Sequence, residues 1–340
     1  MAKHGVLLIN LGSPEAPRSP EVKNYLKEFL TDPYVIDVPW LLRQLLVRIV
    51  IAPRRSHSTA QAYRQIWSDE GSPLVNFTRA FADKLKSTCS DRDVRWAMRY
   101  GQPSIRAACS EWDITELDVV PLYPQYAESS TRTAVEKVRQ ELSRLGWKGR
   151  ARYLRYFFAE PEFIDSEARR IQSALREFRP DHLLLSFHGL PQHHLTKIHP
   201  AHCQVRPDCC DHVKAVNETC YRAQCFATAR ALQARLEWPQ ASMSVSFQSR
   251  LGRRPWIQPY TDHMITDLAA RGFKRVLVSC PSFVADCLET LEEVGMRLRE
   301  QFLELGGENL QLVPALNDED LWVTSFAAMI KRPGLAWDPL

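Results

Sequence analysis

Short apolar runs that alternate with longer amphipathic stretches most restrict the fold of this 340-residue sequence. Most of the runs are continuously apolar, as expected for parallel strands that are buried on both faces. The predicted strands cover residues 5–11, 94–98, 118–121, 182–187, 244–247 and 275–280. The predicted helices include residues 131–145, 162–178, 217–236, 261–271 and 286–305. This alternation predicts βαβ units, and therefore an α/β fold with open parallel sheets.

The length predicts about two domains. The strand–helix pattern restarts near residue 160, after the sequence FFAEP. We therefore predict an N-terminal α/β domain over residues 1–160 and a C-terminal α/β domain over residues 161–314. Residues 315–340 are expected to form a tail that packs on the domains.

Charge and hydropathy exclude several classes of protein. The formal net charge is only +4 and the basic residues are spread along the chain, so no nucleic-acid partner is predicted. We expect no secretory signal and no segment that spans a bilayer. The segment 35–52 is strongly apolar but includes Asp37, Arg43 and Arg48. It suits a membrane surface, with a helix packed on its own domain as the alternative.

His188 follows the predicted strand 182–187 and precedes Gly189. In open parallel sheets, ligands bind beyond the carboxyl ends of the strands. Histidine is the side chain best suited to take a proton near neutral pH, so His188 is a candidate base. For a single histidine after a strand, a hydrogen-bonded structural role is the commoner alternative.

A stripe of carboxylates is the second candidate feature. Asp286, Glu289 and Glu293 are spaced to share one face of the predicted helix 286–305. A solvated helix face is the ordinary explanation of such a stripe. Because the stripe follows the predicted strand 275–280, we expect it near His188, where clustered carboxylates would handle protons or a divalent metal.

Trp256 stands between prolines in the sequence SRLGRRPWIQPYTD. It suits a rigid aromatic wall for a flat ligand, and a buried core tryptophan is the competing explanation. The glycine and serine motifs typical of dinucleotide-binding proteins, P-loop NTPases and esterases do not occur in the sequence.

Five of the nine cysteines lie in the short segment 199–225. An odd number of cysteines in a chain without a predicted export signal does not indicate a disulfide framework. The clustered cysteines have the spacing C-x5-C-C-x9-C-x4-C, and they are Cys203, Cys209, Cys210, Cys220 and Cys225. Clustering of this kind is typical of a metal site.

Six segments, in this order and spacing, resemble the ferrochelatase family over nearly the whole chain. They are VLLINLGSPE, QAYRQIWSDEGSPL, PLYPQYAESST, LLSFHGLP, QSRLGRRPWIQPYTD and PSFVADCLETLEE. The resemblance implies two Rossmann-like, chelatase-type domains with an active-site cleft between them. It also implies an enzyme, a lyase of haem biosynthesis, that inserts Fe²⁺ into protoporphyrin IX and releases two protons.

The resemblance also implies roles for individual residues. His188 would accept pyrrole protons or guide the metal, with Glu289 as its partner across the macrocycle. Asp286 and Glu293 would extend an acidic relay. The implied porphyrin contacts are Leu11, Arg99, Tyr100, Tyr126, Trp256 and Phe283, with residues 35–55 as a lip of the porphyrin site.

Three features depart from the familiar pattern of the family. Cys287 stands where some relatives carry a histidine, which puts a second imidazole in doubt. Leu11 favours protoporphyrin IX, since the coproporphyrin-using branch tends to have tyrosine there. The cysteine-rich insertion, residues 199–225, replaces a shorter connection. Because some ferrochelatases hold a [2Fe–2S] cluster, we expect one here, held by Cys203, Cys209 or Cys210, Cys220 and Cys225, with zinc and no metal as the alternatives.

Three other functions compete with protoporphyrin ferrochelatase. Two are related enzymes: a coproporphyrin ferrochelatase and a cobalt or nickel tetrapyrrole chelatase. The third is a non-catalytic haem-binding iron–sulfur sensor, which the intact pair of His188 and Glu289 disfavours. We expect a cytoplasmic protein with a peripheral contact to the inner membrane, because the implied substrate and product are greasy.

Overall fold

The computed structural model describes residues 3–199, 207–250, 252 and 254–340. Its strands are β1 (His4–Gly12), β2 (Asp93–Tyr100), β3 (Glu116–Pro121), β4 (Arg150–Leu154), β5 (His182–His188), β6 (Met243–Gln248), β7 (Arg275–Ser279), β8 (Asn309–Leu312) and β9 (Trp337–Pro339). Each predicted strand is present, and the structure adds β4, β8 and β9.

The α-helices begin and end as follows: α1 (Ser19–Leu30), α2 (Trp40–Leu45), α3 (Ala52–Ile66), α4 (Pro73–Thr88), α5 (Ile105–Cys109), α6 (Thr133–Arg144), α7 (Pro161–Phe178), α8 (Gln192–Ile198), α9 (Tyr221–Leu236), α10 (Thr261–Ala270), α11 (Leu288–Leu291), α12 (Arg299–Glu304) and α13 (Asp320–Met329). Short π-helical segments cover Leu46–Ile51, Glu128–Arg132 and Glu293–Leu298. In the described chain, no helix is long and apolar enough to cross a membrane.

The chain divides into two compact units. The first contains residues 1–123, 127–156 and 318–340, and the second contains residues 124–126 and 157–317. The division therefore falls a few residues before the predicted boundary at residue 160. The end of the chain belongs to the first unit because β9 pairs antiparallel with β4.

The first unit contains a five-stranded sheet in the order β2-β1-β3-β4-β9. Its first four strands are parallel. Strand β1 is buried from Gly5 to Asn10, which explains why its sequence is continuously apolar rather than alternating. The second unit contains a four-stranded parallel sheet in the order β6-β5-β7-β8. The predicted fold class, parallel sheets flanked by helices, is confirmed.

Both sheets repeat one connection rule. In each, the second strand lies on one side of the first strand and the third strand lies on the other side. The connection that leaves the first strand and the one that leaves the third strand therefore run in opposite directions from neighbouring carboxyl ends. Open α/β sheets bind their ligands at this point. In the second unit these strands are β5 and β7, so His188, the last residue of β5, lies at this switch point.

The predicted single helix over residues 286–305 is wrong. Helix α11 spans only Leu288–Leu291, and a π-helical segment follows before α12 begins. Asp286 precedes the first helical turn, and Glu293 begins the π-helical segment. The three carboxylates therefore do not share one face of a regular helix, although π-helical turns are frequent at functional sites.

Candidate active site

Hydrogen bonds hold the His188 ring and its backbone. The ring Nδ1 lies 2.6 Å from the Gly189 carbonyl oxygen. A carbonyl oxygen can only accept, so Nδ1 carries the proton and Nε2 keeps a lone pair. The backbone N–H donates to the Ser282 hydroxyl, and the backbone carbonyl accepts from the Tyr221 hydroxyl. The arrangement presents Nε2 as a base on a fixed backbone.

Burial lowers the pKa of His188 below the ordinary value of 6.5, while the negative charge of Glu289 and the bond to Gly189 act in the opposite direction. Burial has the largest effect, and Phe283 contributes to it by packing edge-on, with the ring centroids 6.0 Å apart. The imidazole is therefore neutral at pH 7, the state in which it can take a proton.

Gln248 fixes the helix of Glu289 against the strand of His188. It is the register partner of His188 on β6, and its side chain is buried. The amide Nε2 donates to the Glu289 carbonyl oxygen at 2.7 Å, and the amide oxygen accepts from the Ser186 hydroxyl at 2.6 Å. Sequence reasoning missed Gln248 because its role depends on contacts between distant segments.

Gly189 allows the His188 loop to pass close to its neighbours. Its N–H donates to the Gln248 carbonyl oxygen at 2.8 Å. A Cβ atom at this position would lie 2.5 Å from that oxygen and 3.3 Å from the Trp256 ring. Trp256 is partly exposed, and its backbone pairs with Pro191. The predicted aromatic wall therefore lies directly beside the His188 loop.

The other predicted carboxylates differ in environment. Glu293 accepts from the Ser249 backbone N–H at 2.9 Å and from its hydroxyl at 2.6 Å, and burial raises the pKa of Glu293. Asp286 is buried and accepts from Thr290, the Asn317 amide and the Ala315 N–H. These bonds occupy the Asp286 oxygens and give it a structural role, so its place in a relay stays a prediction.

Tyr126 belongs to the second unit and is partly exposed. Its backbone N–H donates to the Gln224 side-chain oxygen at 2.6 Å. Gln224 lies on α9, so this contact holds the Tyr126 segment against that helix. The contact fixes the backbone of Tyr126, and its role as a porphyrin contact stays a prediction.

The predicted porphyrin contacts of the first unit lie near the end of β1. Leu11 is partly exposed, and Gly12 follows it with φ +116°. A Cβ at Gly12 would meet the Tyr100 carbonyl oxygen at 1.8 Å, so only glycine fits. Arg99 forms an ion pair with Asp32, and the buried Tyr100 hydroxyl donates to Asp32 at 2.9 Å. Contact of Arg99 and Tyr100 with a porphyrin stays a prediction.

The described part of the cysteine segment contains a cluster of thiols. The sulfur atoms of Cys209 and Cys210 are 3.8 Å apart, and Arg222 donates to the Cys210 sulfur at 2.9 Å. Hydrogen bonding from Cys220, and then the charge and hydrogen bond of Arg222, lower the pKa of Cys210 to about 6. Burial instead raises the pKa of the Cys225 thiol.

The described residues of this segment do not by themselves form a complete metal site. Among the described residues, no group of three or more His, Cys, Asp or Glu side chains is arranged to hold a metal ion. The predicted ligand Cys203 lies outside the described residues. The lowered pKa of Cys210 suits a thiolate ligand.

Residues 3–333 match the sequence model of the ferrochelatase family. The chain belongs to this family. It is 47% identical to the ferrochelatase of Azotobacter vinelandii, over 98% of this chain and all of that protein. It is 45% identical to the ferrochelatase of Coxiella burnetii, over 97% of this chain and 94% of that one.

Solved structures support the fold. SirB from Bacillus subtilis with Fe³⁺ matches with a TM-score of 0.54 at 13% identity, over 97% of this chain and 94% of that one. The sirohydrochlorin chelatase SirB from Bacillus subtilis subspecies spizizenii, in complex with cobalt, gives the same TM-score at 12% identity. At this identity the likeness shows a shared architecture alone and is not evidence for a shared substrate.

Proposed function

We propose that the protein inserts Fe²⁺ into protoporphyrin IX and releases two protons, as the last step of haem biosynthesis. Membership of the ferrochelatase family supports this reaction. The observation that carries the proposal is the neutral His188 ring, whose Nδ1 is bound to the Gly189 carbonyl oxygen while Nε2 remains an acceptor. Leu11 supports protoporphyrin over coproporphyrin, because the coproporphyrin branch of the family tends to have tyrosine there.

Metal insertion requires the two pyrrole N–H protons to leave the porphyrin. Nε2 of His188 takes a pyrrole proton, and the Gly189 carbonyl oxygen stabilises the imidazolium through Nδ1–H. Glu289 contributes a negative charge near His188 and is positioned to guide Fe²⁺ or to receive a proton. Glu293, whose pKa burial raises, is suited to pass a proton onward.

The aromatic side chains suit a flat substrate. Trp256 and Phe283 flank the His188 loop, and both are partly exposed. Rings held in fixed positions can bend a porphyrin, and bending tilts the pyrrole lone pairs outward toward the metal. We assign porphyrin contacts to Trp256 and Phe283 in the second unit, with Tyr126 of the same unit and Leu11, Arg99 and Tyr100 of the first as the remaining candidates.

The proposed reaction is tested by mixing the protein, Fe²⁺ and protoporphyrin IX without oxygen and following porphyrin fluorescence. We expect fluorescence to fall over many turnovers, faster than with coproporphyrin III. Faster turnover of coproporphyrin, or metalation only with Co²⁺ or Ni²⁺, would indicate one of the related chelatases. A fluorescence loss that stops at one equivalent would indicate a binding protein and contradict the proposal.

We further propose a [2Fe–2S] cluster in the cysteine segment. The donor chemistry supports it, since Cys210 has the lowered pKa of a thiolate and lies beside Cys209 and Cys220. Cys203 and Cys225 would complete the set. A bound cluster would supply a one-electron redox couple at thiolate-ligated iron. Zinc is the competing occupant, because four thiolates suit it equally by number.

We also propose that the protein is cytoplasmic and touches the inner membrane through the segment from Trp40 to Ile49. Trp40, Leu41 and Ile49 are exposed to 67%, 63% and 66%. Arg43 is buried beneath them and donates to the carbonyl oxygens of Thr31 and Val38, which fixes the helix. Arg48 within this segment and Arg54 and Arg55 shortly after it are exposed, so an apolar surface with adjacent positive charge suits an anionic lipid bilayer.

Replacing Leu41 and Ile49 together by glutamate is expected to weaken binding to phosphatidylglycerol-containing vesicles by more than about 100-fold. Each side chain loses roughly 1.5–3 kcal/mol of apolar burial and gains a charge that anionic lipid repels. Vesicle co-sedimentation measures the effect. The matched control, Leu145→Glu with Leu305→Glu, changes two exposed leucines elsewhere and should bind like the wild type. Equal loss in both double variants would refute the assignment.

A further inference from the structure

Helix α9 begins immediately after Cys220, and the first two residues of the helix reach the loops of the candidate active site. Tyr221 and Arg222 are both buried. Arg222 donates to the Cys210 sulfur and to the Gln258 carbonyl oxygen, which lies in the loop of Trp256. Tyr221 reaches the backbone of His188. The cysteine segment and the active-site loops therefore meet at the first turn of α9.

The hydroxyl groups of Tyr221 and Ser282 both bind the His188 backbone. The His188 N–H donates to the Ser282 oxygen at 3.0 Å, and the Tyr221 hydroxyl donates to the His188 carbonyl oxygen at 2.8 Å. Both polar groups of the His188 backbone are therefore held by side-chain hydroxyls.

These two hydrogen bonds act on the direction of the His188 side chain. The imidazole Nδ1 is bound to the next carbonyl oxygen along the chain, so a rotation of the 188–189 backbone would turn Nε2 with it. The sheet fixes His188 through pairing with Gln248, the last register pair of β5 with β6. The pairing of β5 with β7 ends earlier, at Leu185, so the Ser282 and Tyr221 hydroxyls supply the partners of the His188 N–H and carbonyl oxygen.

We propose that Tyr221 is a positioning residue for the reaction: with Ser282 it fixes the His188 backbone and thereby the direction of Nε2. This inference rests on the proposed role of His188 as the base. It assigns to the start of α9 a function in catalysis. Tyr221 acts through His188 and need not touch the porphyrin.

The test compares Tyr221→Phe with wild type in the anaerobic iron-insertion assay. Removal of one hydroxyl should lower kcat between about 10- and 100-fold, because small displacements of a reacting group cost this much. The KM for protoporphyrin IX should stay within about twofold, because the aromatic contacts do not change. Tyr153→Phe removes a hydroxyl that donates to Asp338 in the first unit and should leave both constants unchanged.

Ser282→Ala removes the other hydrogen bond to the His188 backbone and provides the second variant. We expect a similar fall in kcat, and the double variant should lose little more than either single one. A kcat within twofold of wild type in either single variant, or a loss confined to KM, would overturn the proposal. If Tyr221→Phe does not fold, as judged by its thermal melt, Ser282→Ala alone decides. Absence of turnover in the wild type would refute the proposed function instead.

Discussion

His188→Ala is expected to lower the kcat for iron insertion at least 100-fold, to below about 1% of wild type, because a positioned general base contributes roughly 10²–10⁴ to the rate. The dissociation constant for protoporphyrin IX should stay within about threefold, since the porphyrin contacts assigned to aromatic side chains remain. Stopped anaerobic assays give kcat, and quenching of protein fluorescence gives the dissociation constant. Turnover near the wild-type rate would remove His188 from the mechanism.

His57→Ala is the matched control for that variant. His57 is exposed on α3, where its ring lies within hydrogen-bonding distance of Gln61, one turn further along the same helix. Its removal should leave kcat unchanged. Millimolar imidazole should restore part of the activity of His188→Ala, because the small base can enter the space that the ring vacates. Restoration of His188→Ala without any effect on the wild type would identify proton transfer as the lost step.

The proposed role of His188 as the general base also predicts how the activity declines at low pH. His188 must be neutral to accept a proton, and burial lowers its pKa below 6.5. Activity should therefore persist as the pH falls to 6.5 and decline only below it, as the imidazole becomes protonated. The decline should be absent from the residual activity of His188→Ala. A wild-type midpoint well above 6.5 would show that burial does not dominate at this ring.

Much of the fold could be predicted because buried parallel strands are readable as continuous apolar runs. Strand β5 is buried from His182 to Phe187, and its sequence is correspondingly apolar. Strand β4 was missed because it is short and partly exposed, with Arg150 and Arg152 in its sequence. Strand β9 was missed for a different reason: its pairing with β4 joins residues far apart in the chain, and no local pattern reports such a pairing.

In the candidate site, too, local sequence patterns predicted some residues and missed those that depend on long-range contacts. Residue type and strand position predicted His188, because both are local. The π-helical segment after Glu292 could not be predicted, since the choice between i→i+4 and i→i+5 bonding leaves no periodic signature. Gln248, Tyr221 and Ser282 are ordinary residues in the sequence. Their contacts with His188 and Glu289 exist only after three strands and two helices have come together.

Cys210→Ser is expected to remove the visible absorbance of the anaerobically purified protein, together with its iron and acid-labile sulfide. The geometry distinguishes Cys210 from its neighbour Cys209. Arg222 donates to the Cys210 sulfur at 2.9 Å, and the bond from Cys220 contributes most to lowering its pKa to about 6, so Cys210 is largely thiolate at pH 7. The thiolate, rather than the thiol, is the metal ligand.

Cys209→Ser is the matched control that distinguishes the two candidate ligands. The two sulfur atoms lie only 3.8 Å apart, and the substitutions are chemically identical. We expect Cys209→Ser to keep the iron and sulfide of the wild type. The opposite result, with the cluster lost in Cys209→Ser and kept in Cys210→Ser, would show that the ion pair with Arg222 holds Cys210 away from the metal. A colourless wild type that contains one zinc per chain would replace the cluster by a zinc site, and the same pair of variants would then identify its ligand.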